Sequence, residues 1–94
     1  MTTLYLDLET YSATPIKNGV HRYAEDAEIL LLAWAINDSP VQVWDATAGI
    51  RAPAELRDAL RDPACTLVAH NSGFDRTVLN RVIPTDTSRW HDAL

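Results

Sequence analysis

Leucines alternate with polar residues in the stretch Leu4-Tyr5-Leu6-Asp7-Leu8-Glu9 near the start of the chain. This alternation predicts a β-strand with the leucines on one face and Tyr5, Asp7 and Glu9 on the other. Two carboxylates two residues apart on a strand lie side by side. On a central, covered strand they need a divalent cation such as Mg²⁺ or Mn²⁺, whereas on an edge strand both can face water. The spacing alone leaves both alternatives open.

The next two predicted strands form a hairpin. The apolar run 28–36 predicts a strand buried on both faces, although a buried helix has the same pattern. Residues 37–40 have the composition of a turn, and a short strand that ends at Trp44 follows. We expect Trp34 and Trp44 to pack into the core from this hairpin.

Two helices and a fourth strand complete the predicted elements. Pro53 begins the first helix, and Asp62-Pro63 ends it. Residues 66–70 predict the fourth strand and residues 74–81 the second helix, whose apolar stripe is Phe74, Val78 and Val82. The order of these elements predicts a mixed α/β sheet with at least one helical crossover.

A third carboxylate, Asp75, lies near the start of the second predicted helix. If the first and fourth strands are parallel neighbours, Asp75 approaches Asp7 and Glu9. The alternative is that Asp75 caps its own helix, because Ser72-Gly73-Phe74-Asp75 fits the S-x-x-D capping box. Taken alone, these residues favour capping over metal binding.

The composition excludes several classes of protein. The chain has 94 residues, of which 47% are hydrophobic, so we expect one folded domain and no disorder. A net charge of −5 argues against broad binding to phosphate backbones but is compatible with a metal-dependent nuclease. No leader or membrane span is evident, so we expect a cytoplasmic protein with no membrane partner. The single cysteine, Cys65, excludes an intrachain disulfide, and we expect it to be buried.

Two motifs resemble those of the DnaQ-like (DEDD) 3′–5′ exonucleases. Leu6-Asp7-Leu8-Glu9-Thr10 resembles the first motif of that family, and Asn71-Ser72-Gly73-Phe74-Asp75 resembles the second. Tyr23-Ala24-Glu25-Asp26 and Val41-Gln42-Val43-Trp44-Asp45 are further similar to the exonuclease domains of phage-type family A DNA polymerases. The resemblance covers essentially the whole chain.

The resemblance implies a ribonuclease H-like α/β fold, in which helices flank a mixed sheet, and a two-metal hydrolysis of DNA phosphodiesters. It implies proofreading of the 3′ end of single-stranded DNA during DNA replication, within a DNA polymerase. The cofactors would be two Mg²⁺ or Mn²⁺ ions. The implied catalytic metal ligands are Asp7, Glu9 and Asp75, and the implied nucleotide contacts are Thr10, Asn71 and Phe74.

The third motif of the family, a Tyr or His four residues before a final Asp, is absent after Asp75, and Asp92 follows His91 directly. We therefore expect residues 1–94 to form a single exonuclease domain that is incomplete at its C-terminus. Without that motif, the isolated chain is not expected to be an efficient enzyme. The alternative is a catalytically inactive fragment that binds nucleic acid or a partner protein. An incomplete domain also exposes strand edges and an apolar face, which predicts self-association.

Overall fold

A computed structural model of the chain describes residues 2–11, 28–70 and 72–93. Within these residues five strands form one mixed sheet in the order β3-β2-β1-β4-β5. Helix α1 (Ala54–Arg61) precedes β4, and helix α2 (Ser72–Leu79) follows it. The strands are β1 (Thr3–Tyr11), β2 (Glu28–Ile36), β3 (Gln42–Asp45), β4 (Thr66–Ala69) and β5 (Trp90–Asp92). This arrangement confirms the predicted α/β class, and none of the described helices is long and apolar enough to cross a membrane.

Strand β1 lies at the centre of the sheet. It pairs antiparallel with β2 and parallel with β4, where Leu4 lies opposite Leu67 and Leu6 opposite Ala69. Strands β2 and β3 are antiparallel, which confirms the predicted hairpin. Because β1 and β4 are parallel, their carboxyl ends meet at the same edge of the sheet.

The core lies between one face of the sheet and the two helices. The alternation in β1 buries its leucines on this face, as predicted, and the hairpin adds Trp34, which is 2% exposed. Cys65 is buried with a free thiol, also as expected. The residues that meet in this core include Leu4, Leu6, Leu8, Leu32, Trp34, Leu56, Leu60, Leu67, Val78 and Leu79.

The opposite face of the sheet is open in the described part of the chain. Tyr5 is 47% exposed, Leu31 is 37% exposed and Val43 is 63% exposed. The prediction that 28–36 is buried on both faces is therefore wrong. Both described helices supply their apolar residues to the leucine face, so no described helix covers the side chains that point the other way.

Helix α2 begins and ends two residues earlier than predicted. Val82 is consequently outside the helix and 66% exposed, so it does not continue the apolar stripe. After Leu79 the chain turns, because the N–H groups of Val82 and Ile83 both donate to the Leu79 carbonyl. A helix that continued would also bring Ile83 into a conformation that Pro84 disfavours.

Arg89 is a buried cation that the sequence patterns did not single out. Its Nε donates to the Cys65 carbonyl at 2.9 Å, Nη1 to Leu60 at 2.7 Å and Nη2 to Ala59 at 2.9 Å. Ala59 and Leu60 are in the last turn of α1, where carbonyls have no partner within the helix. Arg89 therefore ties the end of α1 and the residue before β4 to the start of β5.

Candidate active site

The parallel pairing of β1 and β4 brings the first and second sequence motifs together. Asp7 follows Leu6, which lies opposite the last residue of β4, Ala69. The chain then turns at His70 and enters α2, where Asp75 lies in the first turn. The two carboxylates are close enough for the charge of Asp7 to act on Asp75.

Asp75 is buried at the start of α2, with 5% of its surface exposed. Burial raises the pKa of this carboxyl to about 7, and the negative charge of Asp7 contributes to the same rise. Among the described residues, no hydrogen-bond donor or cation offsets either effect. This carboxyl therefore keeps its proton to a higher pH than an ordinary aspartic acid does.

Asp7 and Glu9 are side by side on one face of β1, as predicted. The structure combines features of the two alternatives, because β1 is central in the sheet but both carboxylates are exposed. Both carboxylates project from the open face of the sheet.

The donor chemistry of the Asp7 and Asp75 pair fits a divalent cation. Carboxylate oxygens are preferred ligands of Mg²⁺ and Mn²⁺, and such an ion would compensate the like charges. In residues 2–11, 28–70 and 72–93, however, no three His, Cys, Asp or Glu side chains form a group that could hold a metal ion. The fold therefore brings Asp7 and Asp75 together, and the role of Glu9 as a metal ligand stays a prediction.

The N-terminus of α2 is capped by a residue from another strand. The Ser72 N–H donates to Oδ1 of Asp92, in β5, at 2.8 Å. In a capping box, Asp75 would accept this hydrogen bond, so the capping alternative for Asp75 does not apply. Hydrogen bonding by the Ser72 side chain, and then by its backbone N–H, lowers the pKa of Asp92. No local pattern indicates this cap, because 20 residues separate the partners.

Two of the three implied nucleotide contacts, Thr10 and Phe74, are among the described residues. Thr10 is half-buried near the end of β1, just after an irregularity in its pairing with β2. Phe74 is in the first turn of α2 and packs against the core. Asn71 lies outside the described residues, as does the similar stretch 23–26. The roles of these side chains stay predictions.

Comparisons with known proteins agree with the fold. A DNA polymerase of Bacillus phage SP02 is 40% identical over 82 residues, and the match covers 84% of this chain and 13% of the polymerase. RNase D of Escherichia coli, an exoribonuclease involved in structured RNA processing, aligns with a TM-score of 0.65 and 20% identity, over 96% of this chain and 21% of RNase D. The chain has the fold of the DnaQ-like exonucleases.

A second solved structure shares the DnaQ-like fold. NrnC of Brucella melitensis aligns with a TM-score of 0.60 and 23% identity, over 88% of this chain and 36% of NrnC. No protein-family model matches the chain. The chain is thus similar to one portion of a phage DNA polymerase, and it spans a small part of each of these relatives. The resemblance stated from its motifs is confirmed.

Proposed function

We propose that the chain is the first part of a metal-dependent 3′–5′ exonuclease domain that proofreads DNA in a polymerase. The observation that carries this proposal is the buried Asp75 beside Asp7, with no neutralising group among the described residues. Homology to a phage DNA polymerase supports the replicative context and a cytoplasmic setting. In this proposal residues 1–94 form one domain that needs further residues for a complete site.

The proposed chemistry divides the work among a few side chains. Asp7 and Asp75 would be ligands of one divalent cation, and Asp7 and Glu9 would be ligands of a second. When bound, Mg²⁺ or Mn²⁺ would polarise the phosphate and lower the pKa of a coordinated water. Asp75 must lose its proton to serve as a ligand, so its pKa of about 7 makes cation binding compete with protonation. Thr10, Asn71 and Phe74 would orient the terminal nucleotide.

A second candidate is a catalytically inactive fragment that binds single-stranded nucleic acid or a partner protein. It is favoured by the lack of a three-residue metal group in the described part of the chain. The two candidates differ in their response to metal. The inactive fragment would bind an oligonucleotide equally well with and without Mn²⁺, and it would release no nucleotide.

The proposed function is tested with a 5′-labelled single strand of DNA and Mn²⁺. This strand is offered to the 94-residue chain and to a longer version that is extended through a third motif, a Tyr or His four residues before an Asp. We expect the longer protein to shorten the strand from its 3′ end. Asp7→Asn or Asp75→Asn should reduce the rate about a hundredfold or more. Asp58→Asn, an exposed aspartate of α1, is the matched control and should leave the rate unchanged.

The activity of the longer protein distinguishes the exonuclease from the inactive binding fragment, whether or not the strand is shortened. Stepwise shortening that both site variants abolish supports the nuclease. An inert longer protein, or equal rates in the site variants and the control, rejects it and leaves the binding fragment.

A further inference from the structure

A groove opens on the helix side of the sheet, and neither Asp7 nor Asp75 lines it. Its volume of about 560 Å³ is in the range of known binding pockets. The lining is mainly aliphatic and comes from the hairpin, both helices and the segments that follow β3 and α2. Leu32, Leu56, Leu60 and Val78 are buried beneath the groove, whereas Trp44 is half-buried and Val82 is exposed beside it.

Arginines are concentrated around this groove. Arg51, Arg57, Arg61 and Arg81 line it, and of the arginines that the structure describes only Arg76 and Arg89 lie elsewhere. Glu28 is the single acidic residue among its described lining residues. The chain as a whole carries a net charge of −5, so this surface has a charge opposite to that of the molecule. We name it the arginine groove.

We propose that the arginine groove binds an acidic amphipathic helix of a partner protein. Apolar side chains on one face of that helix would enter the groove, and flanking Asp and Glu residues would face the arginines. Charge complementarity selects this occupant, because acidic side chains are attracted to a surface lined by four arginines and one glutamate among the described residues. The inference does not depend on the nuclease proposal.

A helical peptide suits the lining better than a single nucleic acid strand. Strand binding relies on aromatic rings that stack on successive bases. Among the described lining residues, Trp44 alone offers such a ring. Its indole Nε1 donates to the Ile50 carbonyl at 3.0 Å, which holds the ring half-buried against the core. Aliphatic side chains of a partner helix match the remaining surface.

The test uses a fluorescent peptide of about 16 residues, long enough for an amphipathic helix, with leucines on one face and glutamates beside them. Anisotropy is measured against the whole chain. We expect saturable binding that weakens as salt is raised. A scrambled peptide of the same composition and a version with lysine in place of glutamate should bind about tenfold more weakly or worse.

Two matched pairs of variants locate the binding. Val82→Asp places a charge at the groove, whereas Val43→Asp does the same at a similarly exposed valine on the opposite face. Arg61→Glu reverses a groove charge, and Arg76→Glu reverses one outside the groove. We expect the groove variant of each pair to weaken binding about tenfold or more and its control to have no effect. Circular dichroism checks that all four fold.

Several outcomes overturn the proposal. Equal affinity for the acidic and basic peptides would show that charge does not select the partner. Peptide affinity that neither Val82→Asp nor Arg61→Glu changes would show that binding does not occur in the arginine groove. Binding of an oligothymidine that Val82→Asp abolishes, without binding of the acidic peptide, would identify a nucleic-acid site instead.

Discussion

At the scale of single residues, the Asp75 carboxyl group carries an uncompensated electrostatic cost. It is buried beside another carboxylate, and no described residue neutralises it. A group of this kind lowers the free energy of unfolding unless a ligand offsets the cost. Titratable groups with strongly raised pKa values cluster at functional sites, which is why Asp75 carries the proposed function.

The pKa of Asp75 predicts how stability depends on pH in the absence of metal. The pKa is 3.8 for an unperturbed group and about 7 in the folded chain, so the folded state binds the extra proton between these values. Stability therefore falls as pH rises through this window, by at most about 4 kcal/mol. Asp75→Asn should remove this loss. Urea unfolding in EDTA at about pH 5 and pH 8 measures it.

The comparison for this prediction is Asp58→Asn, which should keep the pH dependence of the wild type. If Asp75→Asn and the wild type lose stability equally between the two pH values, the raised pKa is refuted.

Two buried tryptophans offer a second residue-scale test. The Trp34 Nε1–H has no hydrogen-bond partner among the described residues, whereas that of Trp90 donates to Thr85 Oγ1 at 2.7 Å. Replacement by Phe deletes the same atoms at both sites. We expect Trp90→Phe to lower the free energy of unfolding by about 1–2 kcal/mol more than Trp34→Phe, because only Trp90 loses a hydrogen bond. A larger loss for Trp34→Phe in chemical denaturation would contradict this.

At the scale of elements, the orientation of α2 depends on strand β5. The Asp92 carboxylate accepts the Ser72 N–H, so one N–H group in the first turn of α2 is capped across the sheet edge. Asp92→Ala should lower the melting temperature at neutral pH, whereas Asp92→Asn should keep most of the cap, since Asn also accepts at this position.

The pKa of Asp92 predicts how the stabilisation by this cap depends on pH. Because the hydrogen bond lowers the pKa of Asp92 below 3.8, its stabilisation is present above that pH and is lost as pH falls through the folded value. The difference in melting temperature between wild type and Asp92→Ala should therefore shrink in acid. A difference that does not change with pH would argue against the cap.

Arg89 connects three elements through backbone carbonyls alone. Arg89→Lys keeps the charge but cannot reach the Cys65, Leu60 and Ala59 carbonyls together. We expect Arg89→Lys and Arg89→Met each to lower the free energy of unfolding by about 3 kcal/mol or more, because buried carbonyls lose their donors. Wild-type stability of Arg89→Lys in urea would show that the hydrogen bonds contribute little.

At the scale of the whole molecule, the sequence predicts the sheet well and its long-range contacts poorly. The alternation in β1, the apolar run of β2 and the turn residues between β2 and β3 are local signals, and all three elements are present. The partners of Arg89 and Asp92 lie 20 to 30 residues away, so no local pattern indicates them. Patterns also identify apolar residues without showing what covers them, as the open face at Leu31 demonstrates.

In the candidate site, too, the sequence indicates local features better than contacts between distant residues. Asp7 and Glu9 share a face because strands alternate, and the parallel pairing of β1 and β4 brings Asp75 to Asp7. The sequence did not exclude helix capping by Asp75, since the competing cap comes from β5.

The open face predicts self-association of the chain. Tyr5, Leu31 and Val43 are exposed on one side of the sheet, and β3 is an edge strand. Light scattering should show a mass that rises with concentration, and Val43→Lys should reduce this rise. Ile50→Lys, at an exposed residue outside the strands, is the control. A constant monomer mass at high concentration would contradict the prediction.

The sharing of a cation by Asp7, Glu9 and Asp75 is tested most directly by a Mn²⁺ titration followed by electron paramagnetic resonance. At about pH 8, where Asp75 is ionised, we predict that the wild type binds Mn²⁺ and that Asp7→Asn, Glu9→Gln and Asp75→Asn each weaken binding about tenfold or more. Asp58→Asn should bind like the wild type. Wild-type affinity in all three site variants, or no binding by the wild type, would contradict a shared metal site.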